Sequence, residues 1–237
     1  MSSLADLPEV VGFFSYSHDD DEDFDRQLSS LRDAIQKELA AALGRKVNRN
    51  FRVWQDQDAI APGEMWEAKI ASAINEATFF IPIVTPRAAG SEHCKFELNA
   101  FLARESALGR NNLIFPILYM TVPELAEDLR WRSDAMLSVI GARQYVDWRK
   151  HRQWPIETPA YREAVSDFCE KIADALREPR ASPEERSRQE ADARLRREVE
   201  PGNVAKEEAR RKSADEKAKA KRRRRASTPR EGGRGRS

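Results

Sequence analysis

Thr78-Phe79-Phe80-Ile81-Pro82-Ile83-Val84-Thr85-Pro86 (TFFIPIVTP, residues 78–86) is the most apolar stretch of the 237-residue chain. Its run shows no polar alternation, which predicts a strand covered on both faces, near the centre of a parallel sheet. Upstream of it, Trp66, Ile70, Ala73, Ile74 and Ala77 recur at helical spacing behind Glu64 and Glu67. FRVW (51–54) reads as a further strand, followed by the loop DQDAIAPG (56–63), broken at Pro62-Gly63. Earlier still, Leu28, Leu31, Ile35 and Leu39 form a helical stripe that stops near Gly44. VVGFFSYS (10–17) is a buried strand, and the acidic run Asp19 to Asp25 after it suits the positive N-terminus of that helix.

Downstream, a helix is predicted from about Ser91 to Leu108, then a buried strand NLIFPILY (112–119) and a short strand ARQYVDW (142–148). Tyr161, Val165, Phe168, Ile172, Ala175 and Leu176 mark a last helix, ended by Pro179. Strands alternating with helices predict an α/β fold, a parallel sheet with helices on both faces. Ligands of such sheets bind outside the C-terminal strand ends. Here those ends carry the loops SYSHDD (15–20), DQDAIAPG (56–63) and TPRAAGSEH (85–93).

The formal charge of +1 conceals an asymmetry. Residues 1–180 hold 22 Lys+Arg against 29 Asp+Glu, whereas residues 181–237 hold 19 against 11. The C-terminal part has no aromatic residue and almost no apolar stripe, so it predicts a solvated, partly helical or disordered extension. Attraction to nucleic acid through its basic run is the functional rival, although it offers no stacking platform. Two cysteines exclude a disulfide framework, the N-terminus does not resemble a signal peptide, and no apolar run approaches membrane-helix length. The expected location is the cytoplasm.

SEHCKFEL (91–98) brings His93, Cys94 and Glu97 within five positions. At about 100° per residue, Cys94, Leu98, Phe101 and Leu102 form the buried stripe, while His93, Glu97 and Arg104 share the flank beside it. Neighbours on a helix point in different directions, and no further Cys/His pair has ligand spacing, which argues against a metal. For Glu97 two readings stay open, an interhelical or intrahelical charge pair and a catalytic carboxylate. Phe96 points away from the stripe, either shielded by neighbours or part of an assembly surface.

Three motifs in register, VGFFSYSHDD, VWQDQDAIAPGEMW and AINEATFFIPIVTPRAAGSEHCKFEL, resemble a Toll/interleukin-1 receptor (TIR) domain, of the kind common in bacterial defence proteins, over about residues 9–177. The resemblance implies a flavodoxin-like sheet of five parallel strands in a domain of residues 9–178, followed by a basic tail at 179–237. Many such domains cleave the nicotinamide–ribose bond of NAD and are switched on by self-assembly, whereas others are non-catalytic adaptors. In catalytic members the essential glutamate lies three positions after a cysteine, here Glu97 after Cys94. The resemblance further implies nucleotide contacts at Tyr16, Ser17, His18, Ile60, Ala61, Pro62 and His93, and assembly contacts at Pro62, Gly63 and Phe96. His93 stands where catalytic members often have Trp, and Ala61 where one has an acidic residue. NAD is then the substrate, with no separate cofactor or metal.

Overall fold

The computed structural model describes residues 3–55, 66–126 and 130–179. Five parallel strands, β1 (Val10–Ser15), β2 (Phe51–Gln55), β3 (Phe79–Val84), β4 (Ile117–Leu118) and β5 (Val146–Asp147), form one sheet in the order β2-β1-β3-β4-β5. The helices are α1 (His18–Asp23), α2 (Gln27–Ala42), α3 (Trp66–Glu76), α4 (Pro86–Gly90), α5 (Glu92–Ala107), α6 (Pro123–Ala126), α7 (Ala135–Gly141) and α8 (Pro159–Arg177). α2 packs against α8 and α3 against α5, one pair on each face of the sheet. Every residue of β1 and β3 is buried, as expected of strands covered on both sides. Phe13, Phe14, Phe51, Phe79, Phe80 and Phe101 fill the space between the layers.

The last two strands are shorter than their apolar runs, and proline is the cause. Phe80 N donates to Leu113 O (2.9 Å) and Phe80 O accepts from Phe115 N (2.8 Å). Two residues on, Pro82 has no N–H to continue that ladder. Pairing therefore survives as an isolated bridge at Ile114 and resumes only at Ile83–Ile117 and Val84–Leu118. Pro116 likewise has no donor for β5, whose pairing begins where Val146 N donates to Pro116 O (2.9 Å). The expected strands 112–119 and 142–148 thus shrink to two paired residues each.

The single helix expected after β1 is two. Asp25 and Arg26 adopt left-handed backbone (φ 49° and 59°) and break α1 from α2. α2 ends as its sequence suggests, with Gly44 at φ 63° just past the last turn. α5 matches its expected bounds closely: Ser91 caps its start by accepting from Cys94 N (3.3 Å). Among the described residues no helix is long and apolar enough to cross a membrane.

Candidate active site

β1 and β3 lie side by side, so their C-terminal ends bring the segments after Ser15 and after Val84 together. Between them opens a cleft of about 870 Å³, lined by Tyr16, Ser17, His18, Arg87, His93 and Glu97 among others. Five residues singled out in the sequence, Tyr16, Ser17, His18, His93 and Glu97, therefore meet in one cleft. Ile60, Ala61, Pro62 and Gly63, together with the basic tail, lie outside the described residues.

Glu97 sits only 4% exposed, and Ser15 Oγ donates to its Oε2 at 2.5 Å. The donor is the last residue of β1, itself buried at 2%. The carboxylate is therefore held from behind by the sheet while it faces the cleft. Helical phase set Glu97 on the flank beside the buried stripe, and the structure includes it in the buried set. The buried residues of α5 are Cys94, Glu97, Leu98, Phe101 and Glu105, and Leu102 is only half-buried. The contact stripe is rotated towards two glutamates because each finds a buried partner. Glu105 accepts from Leu113 N (2.7 Å) and from both terminal nitrogens of Arg143 (3.1 and 2.6 Å).

Cys94 is a core residue, as its phase suggests. Burial, reinforced by the charge of Glu97, pushes its thiol up to about 11, so it stays protonated at neutral pH. Arg104 lies seven positions further along the same helix, and its Nε donates to Ala77 O (3.1 Å), just past the end of α3. Phe96 does not stand out into solvent but is half-buried and packs against the core. His93 is exposed at the rim. Among the described residues no group of three His, Cys, Asp or Glu side chains is arranged to hold a metal.

The acidic run is more than a set of helix caps. Asp20 and Asp21 are buried. Asp20 Oδ2 accepts from Thr85 Oγ1 (2.5 Å) and its Oδ1 from Arg87 Nη1 (3.2 Å), tying α1 to the start of α4. Asp21 accepts from Ser29 N (3.0 Å) and Ser29 Oγ (2.5 Å). Gln55 Nε2 donates to that hydroxyl (3.0 Å) and to the Tyr16 hydroxyl (2.5 Å). Tyr16 therefore turns its hydroxyl into this buried network, and its ring packs on His18 at 5.3 Å between centroids.

Sequence reasoning missed Ser15 and Arg87. Both lie in segments already assigned to the strand ends, SYSHDD and TPRAAGSEH. A serine closing a buried strand and a lone cation in a loop carry no pattern of their own.

This arrangement, a doubly wound parallel sheet with a buried carboxylate at the β1 and β3 ends, is that of a TIR domain. The sequence matches the TIR domain family over residues 13–160, and the chain belongs to it. It is also similar to 2' cyclic ADP-D-ribose synthase BtTIR of Bacteroides thetaiotaomicron, at 29% identity over 115 residues. That match covers 48% of this chain and 36% of the relative, so the chain spans about a third of the length of that protein.

Proposed function

We propose that this domain cleaves the nicotinamide–ribose bond of NAD, with Glu97 as the catalytic carboxylate. The observation that carries the reading is the buried Glu97, held by Ser15 and facing a cleft large enough for a nucleotide. A similar domain in a cyclic ADP-ribose synthase supports NAD as the substrate.

One carboxylate is chemically sufficient. Oxygen glycosides need an acid to protonate the leaving oxygen. In NAD the bond from ribose C1′ to the pyridinium nitrogen breaks with both electrons going to nitrogen, and nicotinamide leaves neutral. Positive charge then develops on the ribose, where the fixed anion of Glu97 stabilises it. A carboxylate shielded from bulk water acts more strongly there than one in water. Water, or a nucleophile of the same nucleotide, adds to C1′ and gives up its proton, for which Glu97 is an acceptor. The products are nicotinamide and ADP-ribose or a cyclic variant. Tyr16, Ser17, His18 and His93 contact the nucleotide, His93 by stacking at the rim. Activity rises on self-assembly through the loop of Ile60, Ala61, Pro62 and Gly63, in a cytoplasmic defence or signalling role. Residues 179–237 add weak nucleic-acid contact.

The test is to incubate the concentrated full chain with NAD and follow nicotinamide release beside Glu97→Gln. Release in the parent, lowered at least about 100-fold by the substitution, is the expected result. Release that survives the substitution overturns the role of Glu97. Absence of release under crowded, assembly-promoting conditions favours a non-catalytic adaptor that binds other TIR domains.

A further inference from the structure

We infer that Arg87 grips the diphosphate of the dinucleotide and so sets which way NAD lies in the cleft, an inference that rests on the NAD reading above. Arg87 is the one Lys or Arg lining the cleft among the described residues, and Asp19 and Glu97 line it as well. A substrate carrying two phosphate charges would meet net repulsion there without it.

The guanidinium is anchored on one side and open on the other. Its Nη1 donates to Asp19 O (3.3 Å), Asp20 Oδ1 (3.2 Å) and Asp23 Oδ2 (2.5 Å). Among the described residues Nη2 and Nε donate to nothing. That free edge presents two parallel N–H groups, the geometry that matches two phosphate oxygens. The side chain is 49% exposed, so a ligand can reach it.

Its two carboxylate partners differ in kind. Asp20 is buried, and its second oxygen is taken by Thr85 Oγ1, which also accepts from Ala88 N (3.0 Å) to cap α4. Asp20 is therefore a fixed positioning residue at the root of the guanidinium. Asp23 is 57% exposed and competes with phosphate for the same cation. Next along the wall, a Cβ added at Gly90 would meet no heavy atom within 4 Å, which leaves room beside Arg87. A diphosphate held there, with Glu97 lining the same cleft, leaves the nicotinamide ribose to extend towards that carboxylate.

The experiment compares binding of ADP-ribose, adenosine and nicotinamide riboside to the full chain by calorimetry, in the parent, Arg87→Ala, Arg87→Lys and Asp23→Asn. Loss of the fork weakens ADP-ribose roughly 10- to 100-fold in Arg87→Ala and less in Arg87→Lys, with the two phosphate-free ligands unchanged. Asp23→Asn, by removing the competitor, tightens ADP-ribose several-fold, a gain that a purely structural ion pair would not produce. Equal weakening of all three ligands, unchanged ADP-ribose affinity in Arg87→Ala, or no ADP-ribose binding by the parent overturns the inference. ADP-ribose binding that depends on Arg87 without nicotinamide release refutes the proposed reaction and leaves the grip standing. NAD cleavage with unchanged KM in Arg87→Ala does the reverse.

Discussion

Ser15 Oγ and Glu97 Oε2 lie 2.5 Å apart, although 82 positions separate the two residues in the chain. The contact joins the end of β1 to the second turn of α5 and orients a carboxylate that has almost no access to bulk water. Removing the hydroxyl leaves one oxygen of a buried carboxylate short of a partner. Ser15→Ala is accordingly expected to lower kcat about 10-fold with KM for NAD nearly unchanged, because the substituted residue lies behind the carboxylate. It also costs about 1–3 kcal/mol of stability, measured by urea denaturation. A rise in KM at constant kcat would show that Ser15 acts on substrate binding instead.

Arg143 is predicted to matter for stability and not for the cleft. It donates to both oxygens of the buried Glu105, and to Asn111 O (2.8 Å), fastening α5 to the segment leading into β5. Arg143→Ala takes the counter-charge from a buried carboxylate, leaving it only the Leu113 N–H among the described donors, and should cost about 3–5 kcal/mol. Glu105→Leu combined with Arg143→Met recovers most of the loss if desolvation is the cause. Stability of the double variant no better than that of Arg143→Ala would refute this.

Gly12 faces the ring of Phe79 across the β1–β3 ladder, and a Cβ there would lie 2.3 Å from Phe79 Cζ. Phe79 is fully buried and cannot swing away. Gly12→Ala should therefore destabilise by at least about 1–3 kcal/mol through overpacking. Pairing it with Phe79→Leu makes room for the methyl, so the double variant should melt above Gly12→Ala alone. Additive losses would count against the clash.

Stability should fall on the alkaline side of neutrality. Burial pushes Cys94 up to about 11, Cys169 up to about 12 and Tyr119 up to about 12, from ordinary values of 9.0, 9.0 and 10.0. Each group is neutral when protonated and holds its proton more tightly in the folded state. Its contribution is complete below the ordinary value and drains away as pH rises towards the raised one. Denaturation followed by circular dichroism should thus show constant stability up to about pH 9 and a steep loss between about 9 and 12. Cys169→Ala should make that slope shallower. An unchanged slope would exclude Cys169 as a contributor.

Much of the fold is legible in short stretches because its signals are local. VVGFFSYS and TFFIPIVTP lack polar alternation, so they must be covered on both faces, and β1 and β3 are. Ser91 and Gly44 mark their helix ends by capping chemistry that depends only on neighbours in the chain. The extents of β4 and β5 were not legible. Pro82 and Pro116 stand inside apolar runs, and which neighbouring strand loses a donor depends on sheet order and pairing parity.

The site divides in the same way. That Tyr16, His18, His93 and Glu97 converge follows from strand alternation, which sends the loops after β1 and β3 to one edge. Helical phase also turned Cys94 inward correctly. It left Glu97 beside the buried stripe and not within it, since a carboxylate is costly to bury unless something across the fold bonds it. Ser15 is that partner for Glu97, and Arg143 for Glu105; Thr85 and Arg87 serve Asp20. The sequence by itself determined the sheet, its strand-end loops and the residues that gather there, because periodicity and capping are short-range. Only the tertiary structure decided which carboxylates are buried and which cation faces the cleft, because those choices depend on partners that folding brings together from distant parts of the chain.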